Sequence, residues 1–321
     1  MIGKQGDPFA AISPLWHELL ERRSWSSIFL TPEWQGIWWR RFGTGNNDLR
    51  LLTIDREGAL LGLAPMVLDG DTISFVGDTD LFDYHDFIDV APGFHAAFIE
   101  RVADEPWKTM DLRSLPAFSP VMRELPDAYR ALGYKVTIED EDVVPGVDLP
   151  ATWDEFLGVL RKKDRHELRR KMRRLEAAGQ IQLVETTKGT LLSDFQIFLE
   201  LMAESRDEKR DFMLPEREEF FREIIEWSFE AGFLRLLFLE LEGERVATTI
   251  SFDYAGRRLL YNSGYRLEYA PLAVGLMLNA LCIKDAIERG LIYFDFLRGP
   301  EPYKYHLGGQ NIGLHRIIVN R

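Results

Sequence analysis

Leu49-Arg50-Leu51-Leu52 and Leu234-Arg235-Leu236-Leu237 spell the same four residues 185 positions apart, and Glu57-Gly58 and Glu242-Gly243 follow them at the same distance. Outward from each copy the pattern continues. In the first half, LRLLTID (49–55) meets a turn at 56–58, then ALLGLAPMVL (59–68), a turn at 69–71, and TISFVGD (72–78). In the second half, LRLLFLELE (234–242) meets a turn at Gly243, then RVATTISFDY (245–254), a turn at Ala255-Gly256, and RRLLYNSGY (257–265). Three apolar runs joined by short Gly-bearing turns predict an antiparallel meander. A helical stretch follows each, at 95–104 and at 275–289, the second stopped by Gly290. One more strand closes each half, KTMDLR (108–113) and LIYFDFLR (291–298). A repeat of this period predicts a duplicated domain and not a solenoid unit. The expected fold class is mixed α+β: two tandem domains, each a twisted, mostly antiparallel sheet flanked by helices.

The 321 residues suit two domains at roughly 150 residues each, expected here at 1–150 and 151–321. Between the halves, Thr152 and Glu155 have the spacing of a capping box, and apolar residues follow at helical intervals. This predicts a basic linker helix over 152–178, ended by Gly179. A strand at 180–185 and helices at 191–206 and 215–231 are expected next. The loop 143–149, with Pro145 and Gly146, is the expected hinge.

The net charge is −13, which disfavours DNA and anionic membranes. Yet residues 161–174 read RKKDRHELRRKMRR. This run is either a solvated helix face or a contact for donor or acceptor phosphates. No apolar run reaches the roughly 18 residues that a membrane span needs. Residues 1–14 lack the apolar stretch of a signal peptide. The lone cysteine, Cys282, stands in an apolar helix and reads as a packed small hydrophobe. A cytoplasmic location is expected.

Chemistry-bearing residues gather late in the chain. Asp295 interrupts an apolar strand, where an unpartnered carboxylate is costly. It reads either as an orienting base or as a tie for the Arg298-Gly299 loop. Asn262-Ser263-Gly264-Tyr265 ends an apolar strand; Gly264 reads either as a turn glycine with positive φ or as part of a carbonyl-gripping edge. Lys304 follows Tyr303 in a Pro- and Gly-rich loop. No serine sits in a Gly-x-Ser-x-Gly elbow. Asp83, Tyr84, His85 and Asp86 lack a second ligand cluster, so no metal is expected. His306 and His315 read as core or surface residues.

The order strand–strand–strand–helix–strand resembles the GNAT acyltransferase core. Four stretches resemble the FemAB-like, CelD-like (BioF2-like) branch of that superfamily: FLTPEWQGIWWRRFG (29–43), DLFDYHDFID (80–89), the Arg-rich 165–179, and 261–304 with Asp295, Arg298, Gly299, Glu301, Tyr303 and Lys304 in register. The resemblance implies an N-acyltransferase working on an amine acceptor, such as an amino sugar or a polysaccharide precursor. Its acyl-transfer site would lie in the C-terminal lobe and its acceptor in the cleft between lobes. It implies catalytic roles for Asp295, Arg298, Tyr303 and Lys304, with Lys304 neutralising charge that builds during transfer. Asn262, Ser263, Gly264, Tyr265 and Gly275 would hold the donor, and Asp83, Tyr84 and Asp86 the acceptor. The donor implied first is an acyl-CoA. Members of this branch also use aminoacyl-tRNA, and here the turn 269–275 keeps only Gly275 of the Gly-rich phosphate loop. A silent accessory protein of polysaccharide synthesis is the remaining alternative.

Overall fold

The computed structural model describes residues 7–43 and 47–321. Met1 to Gly6, part of the stretch read for a leader, lie outside the described residues. The chain folds as two compact units, Met1–Val143 with Ile312–Arg321, and Val144–Asn311. The last strand, which chain order puts in the second half, thus belongs to the first unit.

Unit 1 contains α1 (Pro8–Glu21), α2 (Pro32–Phe42), β1 (Asn47–Arg56), β2 (Ala59–Asp69), β3 (Thr72–Phe75), β4 (Ile88–Asp89), α3 (Phe94–Arg101), β5 (Thr109–Pro116), α4 (Val121–Ala131) and the first part of β6 (Lys135–Asp148). Unit 2 continues with α5 (Trp153–Val159), α6 (Lys162–Ala178), β7 (Ile181–Glu185), α7 (Leu191–Ser205), α8 (Asp207–Phe212), α9 (Pro215–Glu230), β8 (Leu234–Leu241), β9 (Glu244–Tyr254), β10 (Arg257–Tyr265), α10 (Val274–Glu288), β11 (Tyr293–Asp295) and α11 (Pro302–His306). The final strand is β12 (Gln310–Asn320).

The duplication is visible in the backbone. Glu57 and Gly58 have φ of 54° and 80°; Glu242 and Gly243 have 51° and 80°. Two successive positive φ values are what a two-residue type I′ hairpin requires. In unit 1 the order β1-β2-β3-β5 is antiparallel until β3 meets β5 in parallel, Thr72 to Ser74 against Thr109 to Asp111. In unit 2, β8-β9-β10-β11 repeats this, with Arg257 to Leu259 parallel to Tyr293 to Asp295.

Each unit buries its own core. In unit 2, Met277, Leu278, Ile283 and Ala286 of α10 pack against Leu237, Leu239, Val246 and Phe294. Each such large apolar side chain contributes about 1.5–3 kcal/mol through lost apolar exposure. Arg258, fully buried, ties β10 to the same helix. It donates to Asp253 at 2.7 and 2.8 Å, to Asp285 at 2.6 Å, and to the Cys282 carbonyl at 3.0 Å. Cys282 is fully buried, and burial pushes its thiol up to about 11, so it stays an unreactive packing group.

Two local expectations are corrected, and one element is additional. The basic linker helix is two helices: Thr152 does form the capping box with Glu155, but the chain turns extended at Leu160, and α6 starts afresh at Lys162. The hinge at 143–149 is largely strand. Gly146 pairs with Asp295 in β6–β11, where an added Cβ would lie 2.0 Å from the Tyr293 hydroxyl. The helix α8 was not expected, since its six residues, DEKRDF, carry no apolar stripe.

Candidate active site

The parallel contact between β10 and β11 lasts only three residue pairs. β11 then ends at Asp295, Phe296 donates its N–H to the Pro145 carbonyl, and Leu297 takes a left-handed φ of 57°. β10 instead runs on to Tyr265. Its register against β9 slips at Tyr261, which faces no partner between the pairs Leu260–Ser251 and Asn262–Ile250. Such bulges re-aim a strand and recur next to active sites. The two strands therefore part, and residues 260–265 of β10 extend past the end of β11.

A cavity of about 250 Å3 opens beside this part of β10. Ser263 and Tyr265 of β10, Val274, Gly275 and Asn279 of α10, Ser205, Arg206 and Lys209 of the α7–α8 region, and Glu301 and Tyr303 all line it. Gly275 lies under Tyr265; a Cβ there would sit 3.2 Å from the ring. Gly264 is required for a different reason from the positive φ read in the sequence. Its Cβ would fall 2.4 Å from the Met202 amide nitrogen, so only glycine lets α7 cross β10 this closely.

Two polar groups at the cavity have no counterpart in the sequence reading. Lys209 donates to the Asn262 side-chain oxygen at 3.0 Å and to the Ser263 carbonyl. Enclosure of its ammonium, reinforced by the charge of Arg206, pushes its pKa down to about 8. Asn279 is 4% exposed, and its Oδ1 has no hydrogen-bond partner among the described residues. A buried orphan of this kind costs about 1–3 kcal/mol, which a ligand N–H or O–H would relieve. Neither residue carries a sequence signal. Lys209 sits in a run of mixed charges, and Asn279 is one polar residue in an apolar helix.

The residues expected to be catalytic divide. Tyr303 reaches the cavity, and burial raises its phenol pKa above the usual tyrosine value, keeping it protonated. Lys304 turns away from the lining and into the loop before it. Its buried ammonium donates to the carbonyls of Leu297, Arg298 and Gly299 at 2.8, 2.7 and 3.0 Å and pairs with Glu301 at 2.8 Å. Three N–H donors are thereby committed to three carbonyls. Asp295, also buried, accepts from the Leu297 amide at 2.9 Å, and so holds the left-handed turn. Arg298 offers its carbonyl to Lys304, and its half-buried side chain is not among the cavity-lining groups.

Asp83, Tyr84 and Asp86 lie in unit 1. Tyr84 is buried, packed edge-on against Trp25. Asp86 is buried and accepts from Arg23 at 2.8 Å, from Ser119 at 2.9 Å and from the Phe87 amide at 2.9 Å. Asp83 is half-buried. His85 stacks on both Phe75 and Phe82. Among the described residues no group of three or more His, Cys, Asp or Glu side chains could hold a metal ion. Nor is any described helix long and apolar enough to cross a membrane.

The centre of unit 2 is thus a meander whose bulged strand parts from its parallel neighbour over a cavity. Residues 162–305, which lie in unit 2, match the family model described as an acetyltransferase (GNAT) domain. The fold of the chain is GNAT- and FemAB-like, as three solved structures show. It is similar to FemX, at a TM-score of 0.66 and 12% identity, over 95% of each chain. It is similar to the C-terminal domain of a putative lysylphosphatidylglycerol synthetase from Agrobacterium fabrum, at 0.58 and 10%, over 97% of this chain and 92% of that one. L-PGS from Bacillus licheniformis gives 0.58 and 14%, over 100% and 94%. None of the curated proteins matches the sequence.

Proposed function

We propose that the chain is a cytoplasmic N-acyltransferase that moves an acyl group from an acyl-CoA to an amine, with an amino sugar or a polysaccharide precursor as acceptor. One observation carries this reading: β10 continues beyond the three-pair contact with β11 and presents Ser263 and Tyr265 to a cavity at the start of α10. An extended donor can bond to such a strand as a further strand would. A carbonyl held there is open to attack from within the cavity.

In this reading the amine nitrogen attacks the thioester carbonyl, the C–S bond breaks, and the thiolate takes a proton. Tyr303, kept protonated, supplies that proton and regains one from the proton that the amine nitrogen sheds as the amide forms. The Lys209 ammonium balances the charge gathering on the carbonyl oxygen, the task that the family resemblance gives to Lys304. Lys304, Asp295 and Arg298 act one step back, as positioning residues that shape the 297–301 loop and present Glu301 and Tyr303. Asn279 accepts from the donor. A second reading, an aminoacyl-tRNA donor, is favoured by the fold likeness to FemX and by the near absence of glycine in the 269–275 turn.

The test is an activity screen of acyl-CoAs of graded length against amine acceptors, run beside thermal shifts with the same donors. The expected outcome is CoA release with one acyl class and stabilisation by free CoA. Absence of both, with transfer from a charged tRNA, would establish the second reading instead.

A further inference from the structure

The run at 161–174, left open by the sequence, lies along a second cavity, of about 300 Å3, in the same unit. Its wall is one stripe of α6, namely Lys163, Asp164, Glu167, Leu168 and Lys171, completed by Leu276, His306 and Leu307. Leu168, Leu276 and Leu307 give it an apolar floor. Its wall holds two lysines and two carboxylates, and both carboxylates are engaged by arginines outside the lining. Asp164 is buried and already spent, accepting from Arg161 at 2.6 Å and facing His306 Nδ1 at 2.9 Å. Glu167 is held by Arg170 at 2.8 and 2.9 Å and lies 3.7 Å from Lys171. Lys163, exposed, has no ion-pair partner among the described residues. In a chain of net charge −13, a cation left over at a cavity, here Lys163, is a local attractor for anions.

Leu276 lines both cavities. It stands third in α10, so the two hollows flank the first turn of that helix, whose free N–H groups favour a nearby anion. We propose that the second cavity takes the phosphate-bearing, nucleotide end of an elongated acyl donor, held by Lys163 and Lys171 over the leucine floor. The donor passes Leu276 and places its activated carbonyl beside β10. Lys163 and Lys171 of α6 thus supply the cations for a turn, 269–275, that has one glycine with which to cradle phosphate. The inference rests on the acyl-CoA reading above.

Calorimetric titration of the full chain with CoA and with pantetheine, which lacks the nucleotide and its phosphates, tests it. The wild type is expected to bind CoA more tightly than pantetheine, increasingly so at low salt. The double variant Lys163→Ala, Lys171→Ala is expected to lose about 10- to 100-fold in CoA affinity and none for pantetheine. Lys163→Glu should weaken CoA further. Unchanged CoA binding by the double variant would overturn the inference and leave the acyl-CoA reading standing. Equal wild-type binding of CoA and pantetheine would overturn it too. A wild type that binds a short RNA hairpin ending in CCA but not CoA, or binds neither, would overturn both readings.

Discussion

The two units start from the same hairpins and end their third strands differently. In unit 1, β3 has four residues, and all but Phe75 pair with β5. The chain then turns at Gly77, where a Cβ would lie 2.5 Å from His85 Nε2, and Phe82, His85 and Phe87 close over the strand end. In unit 2, β10 has nine residues, and its last six outrun β11 beside a cavity. One copy thus fills with rings the position that the other leaves hollow. Filled positions serve stability; hollow ones, with an orphaned Asn279 and an enclosed Lys209, are costly to keep and suit a ligand.

That contrast can be broken in four ways. Phe82→Ala in unit 1 should lower unfolding free energy by about 3–5 kcal/mol, read by urea denaturation. The turnover of the remaining folded protein should not change. A rate loss beyond the unfolded fraction would mean that unit 1 also holds substrate. Tyr303→Phe in unit 2 should do the reverse, cutting kcat about 100-fold at unchanged stability, with donor KM near the wild-type value. Equal kcat in the two proteins would take Tyr303 out of proton transfer.

Asn279→Leu sharpens the comparison, because it separates folding from binding. Removing the orphan oxygen should raise stability by about 1 kcal/mol while weakening donor binding about 10-fold, read by denaturation and calorimetry. A destabilised variant would mean that the amide serves the fold. The smallest effect is the pH dependence of Lys209. Its folded pKa, about 8, lies below the usual lysine value of 10.5. The unfolded chain therefore binds more protons in that interval, and this contribution to stability rises from pH 8 to 10.5 and is lost as pH falls through 8. Tm measured across this window should climb less steeply in Lys209→Met than in the wild type. Parallel slopes would mean that the ammonium is not enclosed.

Much of the fold was legible because hairpin chemistry is local. Glu57-Gly58 and Glu242-Gly243 announce their turns in two residues, and the apolar runs beside them have the length of strands. The linker helix was misjudged because the break at Leu160 leaves the apolar periodicity almost intact. The hinge was misjudged because Pro145 and Gly146, loop-formers by habit, are held in β6 by the partners β11 supplies. The site was legible in part. Tyr303, Ser263, Tyr265 and Gly275 do meet at one cavity, while Lys304 and Asp295 are absorbed in the loop that precedes Tyr303. Their appearance in a motif could not show which way they face.

By itself, the sequence determined the duplicated meander, the capping box at Thr152 and the packed state of Cys282, since turns, caps and apolar periodicity are encoded within a few residues. Only the tertiary structure decided where β10 parts from β11, that Lys209 is an enclosed cation at the cavity, and that Asn279 Oδ1 lacks a partner among the described residues. Hydrogen-bond satisfaction and the desolvation of a charge depend on neighbours far away in the chain, and no local pattern specifies them.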